Sequence, residues 1–200
     1  MQKIAAGQCM DTPLHEDKAL ENIDYSEKAL AKSEFDNCEF TNCNFSKSDL
    51  SNSNFMDCYF KGCNFSLALL NNTGLKNIKF LNCKLAGIDF SVCNDFLFSA
   101  AFESCHLDYS SFFQKKMKKT SFVDCSLKEV DFTEVDLSMA VFKNCDLLDA
   151  AFVQTILEKA DFRTAKNYSF DPELNKIKKA KFAYPGVTGL LTKYNIDIEF

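Results

Sequence analysis

Every fifth residue from Phe35 to Phe90 is Phe or Leu, without a gap. The same phase runs back through Leu30, Tyr25 and Leu20. It breaks at SVCNDFL, resumes shifted by two at Leu97, and continues through Phe102, Leu107, Phe112, Met117 and Phe122 to Phe162. A period of five fits neither a strand, whose side chains alternate with period 2, nor a helix of period 3.6. Such a repeat predicts a solenoid, in which each unit buries its apolar side only by stacking on the next.

A small residue stands two before each large one: Cys38, Cys43, Ser48, Ser53, Cys58 and Cys63 in the first block, Cys105, Ser110, Thr120, Cys125, Ala140 and Cys145 in the second. Residues two apart on an extended segment point the same way. If each five-residue unit is one side of a square coil, both point inward and four units close one turn. The sequence repeats at that interval: Cys43, Cys63 and Cys83 are evenly spaced by four units, as are Phe102, Phe122, Phe142 and Phe162. The residue two after each centre is often Asn, Asp or Gly, as at Asn42, Asn52, Asp57 and Gly62. These types suit a tight corner that needs unusual backbone angles.

The units TNCNFSKSDLSNSNF and KNCDLLDAAF resemble the A(D/N)LXX repeat of the pentapeptide-repeat proteins, over residues 20–165. The resemblance implies an all-β solenoid, a right-handed quadrilateral β-helix. Residues 1–19 read as an N-terminal segment outside the repeat, with Leu14 a candidate cap. Residues 166–200 read as a last coil followed by a capping and dimerisation helix.

Nine of the ten cysteines, all but Cys9, fall at the small inward position. There a thiol serves as a small hydrophobe. CxxxxC is not a zinc spacing, and His15 and His106 are poorly placed to help. Stacked cysteines would point in parallel, which strains a disulfide. Neither metal nor cofactor is expected. Catalysis has little support either: there are 2 His, no Gly-rich phosphate loop, and an interior filled by Phe. No run of 18 apolar residues and no secretory signal is present, so the expected setting is cytoplasmic and reducing, without a membrane partner.

Three stretches depart from the repeat. At Ser91–Phe96 two extra residues enter, which predicts a bulge at a corner or a small contact loop. In QKKMKK, residues 114–119, Lys115 takes an inward position. A buried unpaired charge is costly, so the wall is expected to loosen there and the lysines to snorkel outward. In the ending AKFAYPGVTGLLTKYNIDI, Pro185 suits the start of a helix and Asn195 its stop. Val187, Leu190, Leu191 and Tyr194 would share one helix face. Ile196, Ile198 and Phe200 alternate like a short strand.

The net charge of −5 is unevenly spread. Glu129, Asp131, Glu134, Asp136, Asp146 and Asp149 are all expected to face outward, with Glu129 and Asp149 stacked one coil apart. Such an acidic face favours basic partners and rejects nucleic acid. QKKMKK is a positive tract on the same chain. The repeat and the ending also resemble the fluoroquinolone-resistance group of the family, Qnr and its mycobacterial MfpA relatives. That resemblance implies a rod-like homodimer joined through Pro185, Val187, Leu190, Leu191, Tyr194, Ile196 and Ile198. It also implies a protein partner, a type II topoisomerase (gyrase or topoisomerase IV), engaged by mimicry of DNA. The alternative is a general protein-interaction scaffold with a different partner.

Overall fold

A computed structural model describes residues 2–4, 14–96 and 98–199. Cys9, Leu97 and Phe200, which figure in the sequence reading, lie outside the described residues.

The chain winds as a right-handed quadrilateral β-helix. The inward pair is buried in most units: Cys38 and Phe40, Ser53 and Phe55, Ala140 and Phe142 are each 2 % exposed or less, whereas toward the ends Lys28 is exposed and Leu30, Ile177 and Phe182 are half-buried. The residue two after nearly every centre is left-handed, from Asp17 at φ 53° to Lys179 at φ 60°; Val92, beside the irregularity at 91–96, and Thr164 are not. The left-handed conformation turns the chain through these corners. Strands of three or four residues form on two of the four sides. The first side holds β2 (Leu14–Glu16), β4 (Glu34–Asp36), β6 (Asn54–Met56) and β8 (Gly74–Lys76), paired in parallel in that order. The second side runs from β1 (Gln2–Ile4) through β3 (Lys18–Glu21), β5 (Glu39–Thr41), β7 (Tyr59–Lys61) and β9 (Ile78–Leu81) to β10 (Ala100–Glu103), β11 (Ser121–Val123) and β12 (Val141–Lys143). The third and fourth sides are joined by single parallel bridges such as Asn44↔Asn64 and Asp131↔Ala151.

Because four units close one turn, like stacks on like. Phe80, Phe102, Phe122, Phe142, Phe162 and Phe182 form one column, with successive ring centroids 4.7 to 5.4 Å apart. Rings on adjacent sides meet edge to face, as Phe112 and Phe122 do at 77°. Both arrangements suit the aromatic quadrupole, and each buried ring contributes on the order of 2–3 kcal/mol through burial alone. The interior is full: beside Leu50, Phe60 and Leu85 only about 10 Å³ stays free.

The cysteines do more than fill space. Cys43, Cys63, Cys83, Cys105, Cys125 and Cys145 stand in one column, all free thiols. Each Sγ donates to the carbonyl of the large residue one coil below, as Cys63 does to Phe40 at 3.4 Å and Cys145 to Phe122 at 3.4 Å. A thiol is a weak donor, but it occupies an acceptor that would otherwise be dry.

The wall starts earlier than the repeat in the sequence. His15, not Leu14, occupies the central position of β2 and stacks on Phe35 at 4.9 Å. Leu14 faces out, 49 % exposed. Residues 14–19 therefore belong to the coil rather than to a segment outside it; the boundary misleads because a polar letter stands at an apolar position. The imidazole lies one full turn before Phe35 and fills the same slot with a ring. Its Nε2 has no hydrogen-bond partner among the described residues. Burial, with help from Lys18, holds its pKa below the usual histidine range.

The two internal irregularities are a single device. The extra residues lie between Asn94, which still pairs with Thr73, and Ser99, which pairs with Leu75. They bulge from the first side rather than shifting a corner, and Phe80 and Phe102 return to register. The bulge opens the wall, and Lys115 from the next coil enters the opening. Lys115 does not snorkel outward: it is 2 % exposed. Its Nζ donates to the Cys93 carbonyl and to Asp95 Oδ1, and lies 5.5 Å from the Phe98 ring centre. The buried charge is thus paired and solvated by the bulge itself.

Candidate protein-interaction surfaces

A filled coil leaves its chemistry to the outward positions. Among the described residues no group of His, Cys, Asp and Glu is arranged to hold a metal ion. Burial pushes the Cys93 thiol up to about 12, far from a reactive thiolate. Among the described residues no helix is long and apolar enough to cross a membrane.

The six acidic residues separate into two kinds. Asp131, Asp136 and Asp146 stand just before a centre and are half-buried. Each carboxylate accepts the backbone N–H two residues on: Thr133 at 2.9 Å, Ser138 at 3.1 Å and Leu148 at 3.3 Å. They are Asx turns that set the next bend. Burial works against the charge of Asp136 and Asp146, but their hydrogen bonds and nearby lysines hold both below the usual carboxylate range. Asp136 faces Lys118 at 3.3 Å and Asp146 faces Lys128 at 3.4 Å. Half of the expected acidic face is therefore engaged by the coil.

Glu129, Glu134 and Asp149 are different. All three sit at left-handed corner positions and are exposed. Glu134 accepts a hydrogen bond from Gln114 one coil below at 2.8 Å. Glu129 and Asp149 occupy consecutive steps of one corner, above Tyr109, and neither has an ion-pair partner among the described residues. These two are the free part of the acidic surface.

The C-terminal cap is built on Tyr168 and Phe170, both buried on the last coil. It is a 3-10 helix over Tyr184–Leu190 and a second over Thr192–Tyr194. Pro185 opens the first, and Asn195, left-handed at φ 48°, closes the second. The cap lies close because of two glycines. A Cβ on Gly189 would sit 2.0 Å from the Tyr168 carbonyl oxygen. One on Gly186 would sit 2.1 Å from the Tyr168 hydroxyl. Lys193 ties the cap down, donating to Asp171 and Glu173, each at 2.8 Å.

The helix type changes which residues share a face. Leu190 is buried against the coil and Leu191 is half-buried. Val187 and Tyr194 face solvent, as do Pro185, Ile196 and Ile198. The expected tail strand does not form: residues 195–199 have no regular structure. Tyr168, Pro185, Leu191, Ile196 and Ile198 instead border an open recess of about 720 Å³ between cap and coil.

A family model described as a pentapeptide repeat region matches residues 33–112, and one described as pentapeptide repeats (8 copies) matches residues 125–163, together more than half of the chain. The chain belongs to the pentapeptide-repeat family. Among solved pentapeptide-repeat structures it is similar to HetL, involved in heterocyst differentiation regulation in the cyanobacterium Nostoc sp. strain PCC 7120. That match has a TM-score of 0.55 and 15 % identity, covering 86 % of this chain and 87 % of HetL. It is also similar to a trypsin-treated form of QnrB1, a plasmid-mediated fluoroquinolone resistance protein. There the TM-score is 0.48 and the identity 22 %, over 98 % of this chain and 95 % of QnrB1. Likeness at these identities concerns the pentapeptide-repeat fold alone. A search of curated proteins finds no match.

Sequence reading found the acidic residues and the cap but missed two features of this pentapeptide-repeat surface. One is Phe96, 79 % exposed on the bulge. The other is the distribution of lysines around the coil. The signal for the second was present, because any two residues separated by a whole turn share a side.

Proposed function

We propose that this pentapeptide-repeat protein is a non-enzymatic binding rod that modulates a type II topoisomerase by presenting carboxylates where that enzyme expects DNA phosphates. The observation that carries this reading is the exposed corner of Glu129 and Asp149, stacked one coil apart without ion-pair partners among the described residues. Glu134 on the next corner extends it. Repeated carboxylates on a straight edge present charge at a regular rise, which a basic DNA-binding groove attracts. The ending of the chain supports a homodimer through the cap, with Val187, Tyr194, Ile196 and Ile198 as its exposed apolar part. Pairing the caps of two copies would be isologous and would double the length of the rod.

The test is a gyrase supercoiling assay, titrated with this protein with and without a fluoroquinolone. The expected result is inhibition or rescue at low micromolar concentration, weakened by salt and abolished by Glu129→Lys with Asp149→Lys. No effect at any concentration would refute the reading, and an effect indifferent to the charge reversal would refute the contact. A solution mass equal to one chain at tens of micromolar would remove the dimer.

A second reading is a general interaction scaffold for a different protein. It is favoured by Leu67, Leu69 and Phe96, which are each more than half exposed and lie more than one coil below Glu129, Leu67 on the same corner column. A pull-down returning only topoisomerase subunits would count against it.

A further inference from the structure

The tracts QKKMKK and NKIKKAK lie three whole turns apart on the coil. Lys116, Asp136, Ile156 and Lys176 are joined by successive parallel bridges on its first side. The same side therefore carries the same pattern twice. Lys116, Lys118 and Lys119 surround the inward Met117. Lys176, Lys178 and Lys179 surround Ile177 in identical places. The two triplets stand about 14 Å apart at the usual spacing of neighbouring strands. Lys159 bridges them on the corner that also holds Lys119 and Lys179, all three left-handed.

All seven lysines are exposed. Only Lys118 has an ion-pair partner among the described residues, Asp136. Asp136 and Glu158 are the acidic residues of the same side at this level. The preceding corner adds Glu134 and no cation there. The excess is strongly positive on a chain whose net charge is −5. Four corners close each coil, so the corner of Lys119, Lys159 and Lys179 is diagonally opposite that of Tyr109, Glu129 and Asp149. This half of the rod is acidic along one edge and basic along the other. The first triplet is held firmly, since the adjacent Lys115 is locked into the bulge.

We propose that this lysine edge is a binding site for the phosphate backbone of nucleic acid. A straight row of ammonium groups, all but that of Lys118 without an ion-pair partner among the described residues, fits a regularly spaced polyanion. The edge has few of the apolar anchors by which an acidic protein segment would be held. Met139 is the one large apolar residue exposed on this corner. Recognition is of backbone charge, without base selection. On this proposal the expectation that an acidic rod rejects nucleic acid fails at the lysine edge. The inference does not rest on the topoisomerase reading, and its test contains no enzyme.

The experiment is a fluorescence-anisotropy titration of a labelled 30-base-pair duplex of arbitrary sequence with the full chain, from 50 to 200 mM salt. Binding should be micromolar at the lowest salt and fall by about two to three powers of ten across the range, as several neutralised phosphates require. Replacing all three lysines of either triplet by Gln should weaken binding at least tenfold and flatten the salt slope. Lys32→Gln with Lys47→Gln, exposed lysines in the first half of the coil, should change it by less than twofold. Thermal melts would confirm that each variant is folded. No binding at 50 mM salt would overturn the proposal, as would affinity indifferent to both triplets. Displacement of the duplex by polyglutamate at equal charge concentration would also overturn it, in favour of an acidic protein partner.

Discussion

Between residues 37 and 82 nearly every corner is turned by Asn, Asp or Gly; between 104 and 159 the same left-handed conformation is held by residues such as Tyr109, Gln114, Lys119, Glu129, Glu134, Met139 and Lys159. In the first half the corner side chains bond to one another. Asn37 donates to Asp17 and Asn77 to Asp57, each at 2.6 Å, and Asn72 donates to Asn52 at 3.0 Å. In the second half Asn144 to Asp124 and Gln114 to Glu134, each at 2.8 Å, keep this habit on two corners. A residue other than Gly, Asn or Asp pays about 1–2 kcal/mol for the left-handed region. The second half accepts that cost repeatedly, and both charged edges stand there. Corners of the first half serve the coil. Those of the second half carry side chains that the coil does not need, which is the pattern expected where strain is tolerated for function.

The largest effects should not distinguish the halves. Phe45→Ala and Phe122→Ala each remove a fully buried ring from a stacked column, and each should cost about 3–5 kcal/mol in denaturant unfolding. A large inequality would mean that the halves differ in packing as well as in corners. Next comes the junction between them. Lys115→Met keeps the volume but leaves the Cys93 carbonyl dry and Asp95 alone, and should cost about 1–3 kcal/mol. Asp95→Asn, at an exposed carboxylate, should cost less. Equal losses would show that the ion pair rather than the burial of Lys115 holds the bulge.

Corner substitutions test the contrast directly. Asn42→Met should destabilise by about 1 kcal/mol, and Met139→Asn should stabilise by a similar amount, read as opposite shifts in melting temperature. Shifts of the same sign would end the contrast. The smallest effect belongs to the first coil. His15 is buried with its pKa depressed, so the unfolded chain takes up a proton more readily. Its contribution is present above the unfolded value near 6.5 and is lost as pH falls through that value toward the folded one. His15→Phe should remove this loss between pH 7.5 and 5 and continue the Phe35 column. A melting-temperature profile still showing the same step would assign it to another group.

Most of the coil was legible because a period of five leaves no other way to bury Phe40 and Cys38 together. The corner geometry was legible at Asn42 and Gly62, whose residue types announce it, and the stacking of Glu129 on Asp149 follows from the four-unit turn alone. Three things were hidden for physical reasons. His15 has a ring that fills the aromatic slot, but its chemistry reads as polar. Lys115 looks like an error until Asp95, one coil earlier, is placed beneath it; the anomaly and its remedy occupy separate coils. In the cap, Gly186 and Gly189 bring the backbone onto Tyr168, and a 3-10 winding of three residues per turn takes Leu191 off the line shared by Val187 and Leu190. Asp131, Asp136 and Asp146 were recognised as outward residues, but their role in turning the chain depends on side-chain rotamers that no spacing reveals.

The two residues added at the bulge have a geometric meaning. One five-residue unit inserted into such a coil would rotate everything beyond it by a quarter turn, and four units would translate it by one step without rotation. Two residues do neither, because they leave the wall sideways and Lys115 closes the gap. The molecule thus behaves as a graduated bar whose marks keep their bearing past a splice. Lengthening it by one whole coil between Lys119 and Lys159 would carry one lysine triplet away from the other by about 5 Å along the same line. The pitch at which this edge reads a linear partner is therefore a quantity that gene duplication can set in discrete increments.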